Sequence, residues 1–329
     1  EITDKILPLG VHHVTISDVL SKYVQLLPGN ASHLRVVKIK DGNEEELTTN
    51  QVTVESKKNE QGLVEVTAKF DPSYTLEDDA KYVLKFTVTS TQEAFDAIAG
   101  DRTLTSDDAE GADATKLYSN KGAKVTYSYG IGTSRTKTKD YSEKPTFKPS
   151  DPLTVPVEVE WKGVDGKSNP SANRPPSVEL NLNQKKDGST KDSYRKVTSS
   201  VQTNSFTENA SFTKVAKGYD YELKAPDAPG YTVEVQKTGT KEKPSFKVIY
   251  QQLPSLTVKK ILEGEQSPNK SFTINIILSD KDGNLINGKF GNTTVTNGKA
   301  QVSLKNGQET ALRYLPRDTR YKVEEVETS

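Results

Sequence analysis

Cysteine and methionine are both absent from the 329 residues, and there is one tryptophan. Without cysteine there are no disulfides, no thiol nucleophile and no cysteine-ligated zinc. Small secreted domains usually need a staple, so a secreted chain of this kind must find its stability elsewhere. Net charge is also absent, since 45 basic residues balance 45 acidic ones. That balance argues against a phosphate-binding footprint and against a polybasic membrane patch, so neither nucleic acid nor membrane insertion is expected. No apolar run approaches membrane-spanning length, and no signal peptide or LPxTG-type sorting motif is present. If the chain comes from a surface protein, it is expected to be an internal segment. Hydrophobic residues make up only 32%, which favours several small sandwiches over one large core.

What is present is alternation. Short runs of apolar and polar residues alternate between turn residues, as in GLVEVTAKF (62–70), KYVLKFTVTS (81–90) and AKVTYSYG (123–130). The same holds for VPVEVEW (155–161), SVELNLN (177–183), YTVEVQ (231–236), FKVIYQ (246–251) and FTINIIL (272–278). A period of two marks half-buried antiparallel strands. One helix is expected near 91–99, with Ser90 and Glu93 as a capping box and Gly100 just past its end. Residues 101–115 have loop composition. The proline-bearing stretch 140–152 and the QQLPS connector at 251–255 divide the chain into 1–150, 151–252 and 253–329, the last short for a sandwich and expected to be truncated. The fold class expected is all-β.

The informative residues are charges on inward parity. Leu256, Val258, Lys260 and Leu262 share one strand face, as do Tyr321, Val323 and Glu325, and Val14, Ile16, Asp18 and Leu20. Lys260, Glu325 and Asp18 therefore interrupt apolar faces. A buried charge must pair or neutralise. Burial lowers a lysine pKa and raises a carboxylate pKa. A neutral lysine is a nucleophile, and a protonated carboxyl can polarise an amide. Beside an asparagine, such a pair could form an isopeptide bond. From parity alone, a buried Lys–Glu ion pair or a lysine reaching solvent at a sheet edge is the simpler reading.

Resemblance adds the chemistry. The segment "LTVKKILEGEQ…RYLPRDTRYKVEEVE" resembles the isopeptide-bearing pilin domains of Gram-positive bacteria. In that family Lys260 and Glu325 match the reactive lysine and the assisting glutamate, and the asparagine lies on a strand beyond YKVEE. Residues 151–252 resemble the B-type repeats of collagen adhesins, through VEVEW, RPPSVELNL, YELKAPDAPGYTVEV and FKVIY. The reactive slots there hold Val159, Ala225 and Tyr250, so the resemblance implies the fold without the cross-link. Residues 1–150 resemble the A-type sandwich that follows a von Willebrand factor A domain in tip pilins, through VTISDVLSKYVQLLPG, LEDDAKYVLKFTVTSTQEAFD and KLYSNKGAKVTYSYG. This implies Asp18 as the assisting acid and Asn120 as the acceptor. Lys5 is the one early lysine candidate, and the family's lysine can lie far upstream.

Together these imply tandem Ig-like sandwiches in a streptococcal-type, cell-wall-anchored surface adhesin: extracellular, non-enzymatic, monomeric, without cofactor. The expected role is a stalk that projects a domain binding a host cell surface or extracellular matrix protein. The alternative is direct host binding by one of these sandwiches, through the 101–115 loop. An accessory region of a secreted enzyme ranks last, because no catalytic constellation is present. DPSYT (71–75) and DKDGN (280–284) loosely resemble metal loops but read as turns. His12 and His13, adjacent on a strand, should point to opposite faces and so should not chelate together.

Overall fold

In the computed structural model, residues 11–129, 135–167, 173–264 and 269–326 are described. The chain divides into two compact units, one running to Leu153 with Thr213–Gly218 added, the other formed by Thr154–Phe212 and Tyr219 onward. No helix among the described residues is long and apolar enough to cross a membrane.

The first unit contains strands β1 (His12–Leu20), β2 (Val24–Leu26), β3 (Arg35–Lys40), β4 (Asn43–Glu46), β5 (Val52–Lys58) and β6 (Val64–Phe70). They are followed by β7 (Lys81–Lys85), β8 (Val88–Ser90), helix α1 (Gln92–Ile98), β9 (Leu117–Tyr118), β10 (Asn120–Tyr129), β11 (Arg135–Tyr141) and β12 (Thr146–Phe147). A five-stranded sheet β11-β10-β1-β6-β5 accompanies a three-stranded sheet β4-β3-β7. Val14, Ile16, Ala68, Phe70, Val125 and Tyr127 from the larger sheet pack with Val36 and Tyr82 from the smaller. The run 81–90 is two strands rather than one. β7 pairs with β3 and β8 with β2, and between them Thr87 donates its amide to the Ser32 carbonyl.

Helix α1 forms, but its cap differs from expectation. Thr91, not Ser90, is the N-cap, and its side chain makes no cap bond. The Thr91 hydroxyl donates instead to the Lys22 carbonyl, and Glu93 accepts from Arg102. Gly100 follows the helix with φ +83°, a conformation that suits glycine. The 101–115 segment is folded onto a small core of Tyr23, Ala94, Ala97, Ala109 and Leu117. His12 and His13 also depart from expectation. Their ring centroids lie 4.9 Å apart, because His13 has a positive φ of 52° and breaks the strand alternation. No group of three metal-ligating side chains occurs among the described residues.

The second unit holds two sandwiches. The first comprises β13 (Leu153–Lys162), β14 (Ser177–Lys186), β15 (Ser189–Ser200), β16 (Thr207–Val215), β17 (Asp220–Lys224), β18 (Tyr231–Lys237) and β19 (Phe246–Gln252). Its sheets are β16-β13-β19-β18 and β15-β14-β17. Val157, Val159, Trp161, Val248 and Tyr250 face Leu180, Leu182, Tyr221 and Leu223, all buried. The second comprises β20 (Leu256–Lys259), β21 (Ser271–Ser279), β22 (Gly288–Phe290), β23 (Thr293–Val295), β24 (Lys299–Lys305), β25 (Glu309–Leu312) and β26 (Arg320–Glu325). Its main sheets are β20-β25 and β24-β21-β26.

The two sandwiches share a plan. β20, β21, β24, β25 and β26 pair as β13, β14, β15, β16 and β17 do. β18 and β19 have no counterpart among the described residues, so the β20 edge that matches the β19-bearing edge of β13 is unpaired. Trp161 is the one tryptophan of the chain, so its fluorescence reads the first of these sandwiches alone. Leu180→Ala, at a fully buried position, is expected to lower that sandwich's stability by about 2–5 kcal/mol. A denaturant titration followed at Trp161 checks this, and an unmoved midpoint would contradict the packing described.

Candidate functional site

The first candidate cluster lies in the first unit. β1 and β10 are antiparallel, with Asp18 opposite Ala123 and Leu20 opposite Asn120. A register shift after Val19 draws Asn120 toward Asp18. The Asn120 side chain hydrogen-bonds the Asp18 carboxyl. Asn120 is only 5% exposed. Burial raises the Asp18 pKa above the ordinary 3.8, and the Asn120 hydrogen bond partly opposes the rise. Oδ1 of Asp18 and Oδ1 of Asn120 are both buried without a hydrogen-bond partner among the described residues. A proton on Asp18 would supply one missing donor, which is the state that polarises an amide carbonyl. Asp18 and Asn120 therefore lie side by side, while Lys5 falls outside the described residues.

The second cluster lies in the second unit. Lys260 follows β20, and its backbone is held on both sides, N–H to the Gln308 carbonyl and C=O from the Gly307 amide. Its Nζ lies 2.7 Å from Oε2 of Glu325 on β26 and 4.3 Å from the Phe272 ring centroid. The pair thus links the two sheets of its sandwich. The Lys260 side chain is 16% exposed and that of Glu325 43%. Glu325 was expected to be buried. Its parity is as read, since Glu325, Val323 and Tyr321 stand opposite the buried Ile274, Ile276 and Leu278. Burial fails because β26 is an edge strand and Tyr321 and Val323 beside Glu325 are exposed as well.

The third location is the one where reactive residues were expected to be replaced. Val159 and Tyr250 are fully buried, and Ala225, one residue past β17, is half-buried. β13 and β19 are parallel neighbours, with Val159 opposite Val248 and Trp161 opposite Tyr250. The Trp161 and Tyr250 rings stack at 4.3 Å and 11°. The Tyr250 hydroxyl donates to the Pro226 carbonyl at 2.8 Å, beside Ala225. The stacked Trp161–Tyr250 pair therefore ties β13 to β19 on the core face, and the Tyr250 hydroxyl reaches the residue after Ala225.

One polar core pair escaped the sequence reading. Glu208 shares its strand face with buried Phe212, and its side chain is 5% exposed. Oε1 lies 3.8 Å from Nη1 of Arg174 and accepts the Gln202 amide. Arg174 also donates to the carbonyls of Gln202, Thr203 and Ser205. Parity with Phe212 was the available signal. The pair ties down the 201–206 connection. Asp71 and Asp280 serve their turns, accepting backbone amides of Ser73 and of Asp282 and Asn284.

Comparison with known proteins bears on the fold. Residues 11–148 match a family described as a domain of unknown function (DUF7604), and residues 254–329 match another, DUF7601. No curated protein matches. Among solved structures, the pilus adhesin SpaC of Lactobacillus rhamnosus GG aligns with TM-score 0.50 and 13% identity, over 95% of this chain and 33% of SpaC. The fold is that of tandem Ig-like sandwiches, as in this adhesin. The present chain thus spans a third of that structure's length. Two B repeats of the Staphylococcus aureus collagen-binding protein align over 91% of this chain and 66% of theirs, at 14% identity and TM-score 0.27. The Streptococcus pneumoniae pilus backbone RrgB aligns over 83% and 55%, at 13% identity and TM-score 0.23. Scores this low carry no argument.

Two predictions follow from the clusters. A carboxyl whose pKa is raised on folding makes the folded state less stable as pH rises from 3.8 through the raised value. Asp18→Asn removes that titration. Hydrogen exchange of β1 and β10 amides, corrected for intrinsic rates, should show the variant gaining protection over the parent near pH 7. The gap should close toward pH 3. A gap that widens in acid would contradict the assignment. Tyr250→Phe removes the hydroxyl's hydrogen bond to the Pro226 carbonyl and is expected to cost about 0.5–1.5 kcal/mol, read as a lower denaturation midpoint at Trp161.

Proposed function

We propose that the chain is a structural stalk segment of a bacterial cell-surface adhesin. It consists of three sandwich modules, 1–150, 151–252 and 253–329, that project a host-binding domain. The observation that carries this reading is the Lys260–Glu325 contact of 2.7 Å, which joins opposite sheets of one sandwich beside a strand edge unpaired among the described residues. A strand seated on that edge with an asparagine beside Lys260 would complete a reactive set. The Lys260 amine attacks the asparagine carboxamide carbon, and a carbon–nitrogen bond forms. Glu325 relays a proton to the departing nitrogen, which leaves as ammonia.

Asp18 and Asn120 present the acid and acceptor halves of the same chemistry, needing a lysine. Neither set suggests turnover of a substrate, and both are suited to one self-limiting bond. Such a bond restricts the unfolded chain as a disulfide does, worth about 2–5 kcal/mol by that analogy. For a cysteine-free chain at the cell surface, this supplies the missing staple.

Mass spectrometry of the intact protein taken from the cell surface tests the proposal. The proteolytic peptide containing Lys260 is expected to be joined to an asparagine-bearing peptide, lighter than their sum by one ammonia. Lys260→Ala should release both as linear peptides. A linear Lys260 peptide at full mass in the parent protein would falsify the cross-link.

A further inference from the structure

The sandwich of β13–β19 has no reactive pair at its three slots, yet it keeps the strand adjacency that a cross-link would lock. The chain enters this sandwich along β13 and leaves along β19. These strands are parallel and in register from Val157–Phe246 to Lys162–Gln251. Tension between the start of β13 and the end of β19 therefore slides one strand lengthwise along the other. In this geometry the evenly spaced ladder bonds are loaded together rather than opened one at a time.

The same strand pair is reinforced on both faces. On the core face, Trp161 and Tyr250 are opposite residues that stack at 4.3 Å, and Tyr250 reaches across the core to Pro226. On the outer face, Lys247 bridges Glu158 at 2.8 Å and Glu160 at 2.9 Å, both on the partner strand. Every one of these links is non-covalent and can re-form after it breaks.

We propose that this sandwich is a reversible extension element. It bears load by shear of β13 against β19, opens above a threshold force, lengthens the chain, and refolds when the load falls. A covalent bond between first and last strands would abolish this behaviour, so the replacement of the reactive residues by Val159 and Tyr250 has a mechanical consequence. The proposal rests on reading the chain as a tension-bearing stalk. The test reads strand shear directly, and its outcome is separate from any cross-link at Lys260 or any host binding.

The test is single-molecule stretching of the full 329-residue chain held by its ends. Because the chain has no cysteine, Val159→Cys with Val248→Cys introduces one possible disulfide, between directly opposite buried residues. The parent chain should give a length step on the order of 300 Å, from roughly 100 residues at about 3.3–3.6 Å each, which returns after relaxation. The oxidised double variant should lack that step, and the reduced variant should recover it. Tyr250→Phe should lower the force of the step without changing its length. A step of full length in the oxidised variant, a step that never returns in the parent, or an opening force unmoved by Tyr250→Phe would overturn the proposal.

Discussion

The rest of the structure depends on how the first and last strands of each sandwich are held. In an Ig-like sandwich these strands are far apart in sequence and adjacent in space, so their contact closes the longest loop and comes with the largest entropic cost. Between β13 and β19 the contact is a six-residue parallel ladder backed by a stacked aromatic pair. In the last sandwich the matching edge of β20 is unpaired among the described residues, and Lys260 stands at its end. A chain without cysteine must secure this closure through packing, ion pairs or bonds formed between its own side chains.

Three physical solutions occur in the three sandwiches. Asp18 and Asn120 form a buried acid–amide pair in which burial favours the protonated acid. Lys260 and Glu325 form an ion pair, part shielded and part open, which links two sheets. Val159 and Tyr250 fill the space with apolar and aromatic groups. Replacing a whole buried polar set by packed apolar side chains can be neutral or stabilising, whereas removing one member leaves an uncompensated charge. The all-apolar packing around Val159 in the middle sandwich avoids such a charge, and Tyr250 uses its hydroxyl to bond the Pro226 carbonyl rather than leaving it stranded.

Much of this was legible from alternation alone, because a period of two assigns each side chain to a face once one buried residue is known. The faces of Lys260, Glu325 and Asp18 follow from it, whereas Asn120 entered only through the resemblance of its segment to A-type sandwiches. What alternation does not carry is whether a face is covered. Glu325, Val323 and Tyr321 lie on the core side of β26 and are still exposed, because burial is a property of the neighbouring layer. Local competition hid other details. Thr91 spends its hydroxyl on Lys22, which displaces the expected cap. The positive φ at His13 reverses the parity that would have separated the two histidines. Glu208 was readable from Phe212, but its partner Arg174 lies 34 positions earlier in a proline-bearing loop, and no local pattern connects them.

If the β13–β19 closure is the keystone of its sandwich, its amides must open only when the whole sandwich does. Native-state hydrogen exchange on the full chain, set beside a denaturant titration at Trp161, measures this most directly. The β13 and β19 amides should exchange with the same free energy that the Trp161 transition reports, and should rank above those of the edge strands β15 and β18. Exchange of β13 or β19 amides through a cheaper local opening, with the Trp161 environment intact, would contradict the account.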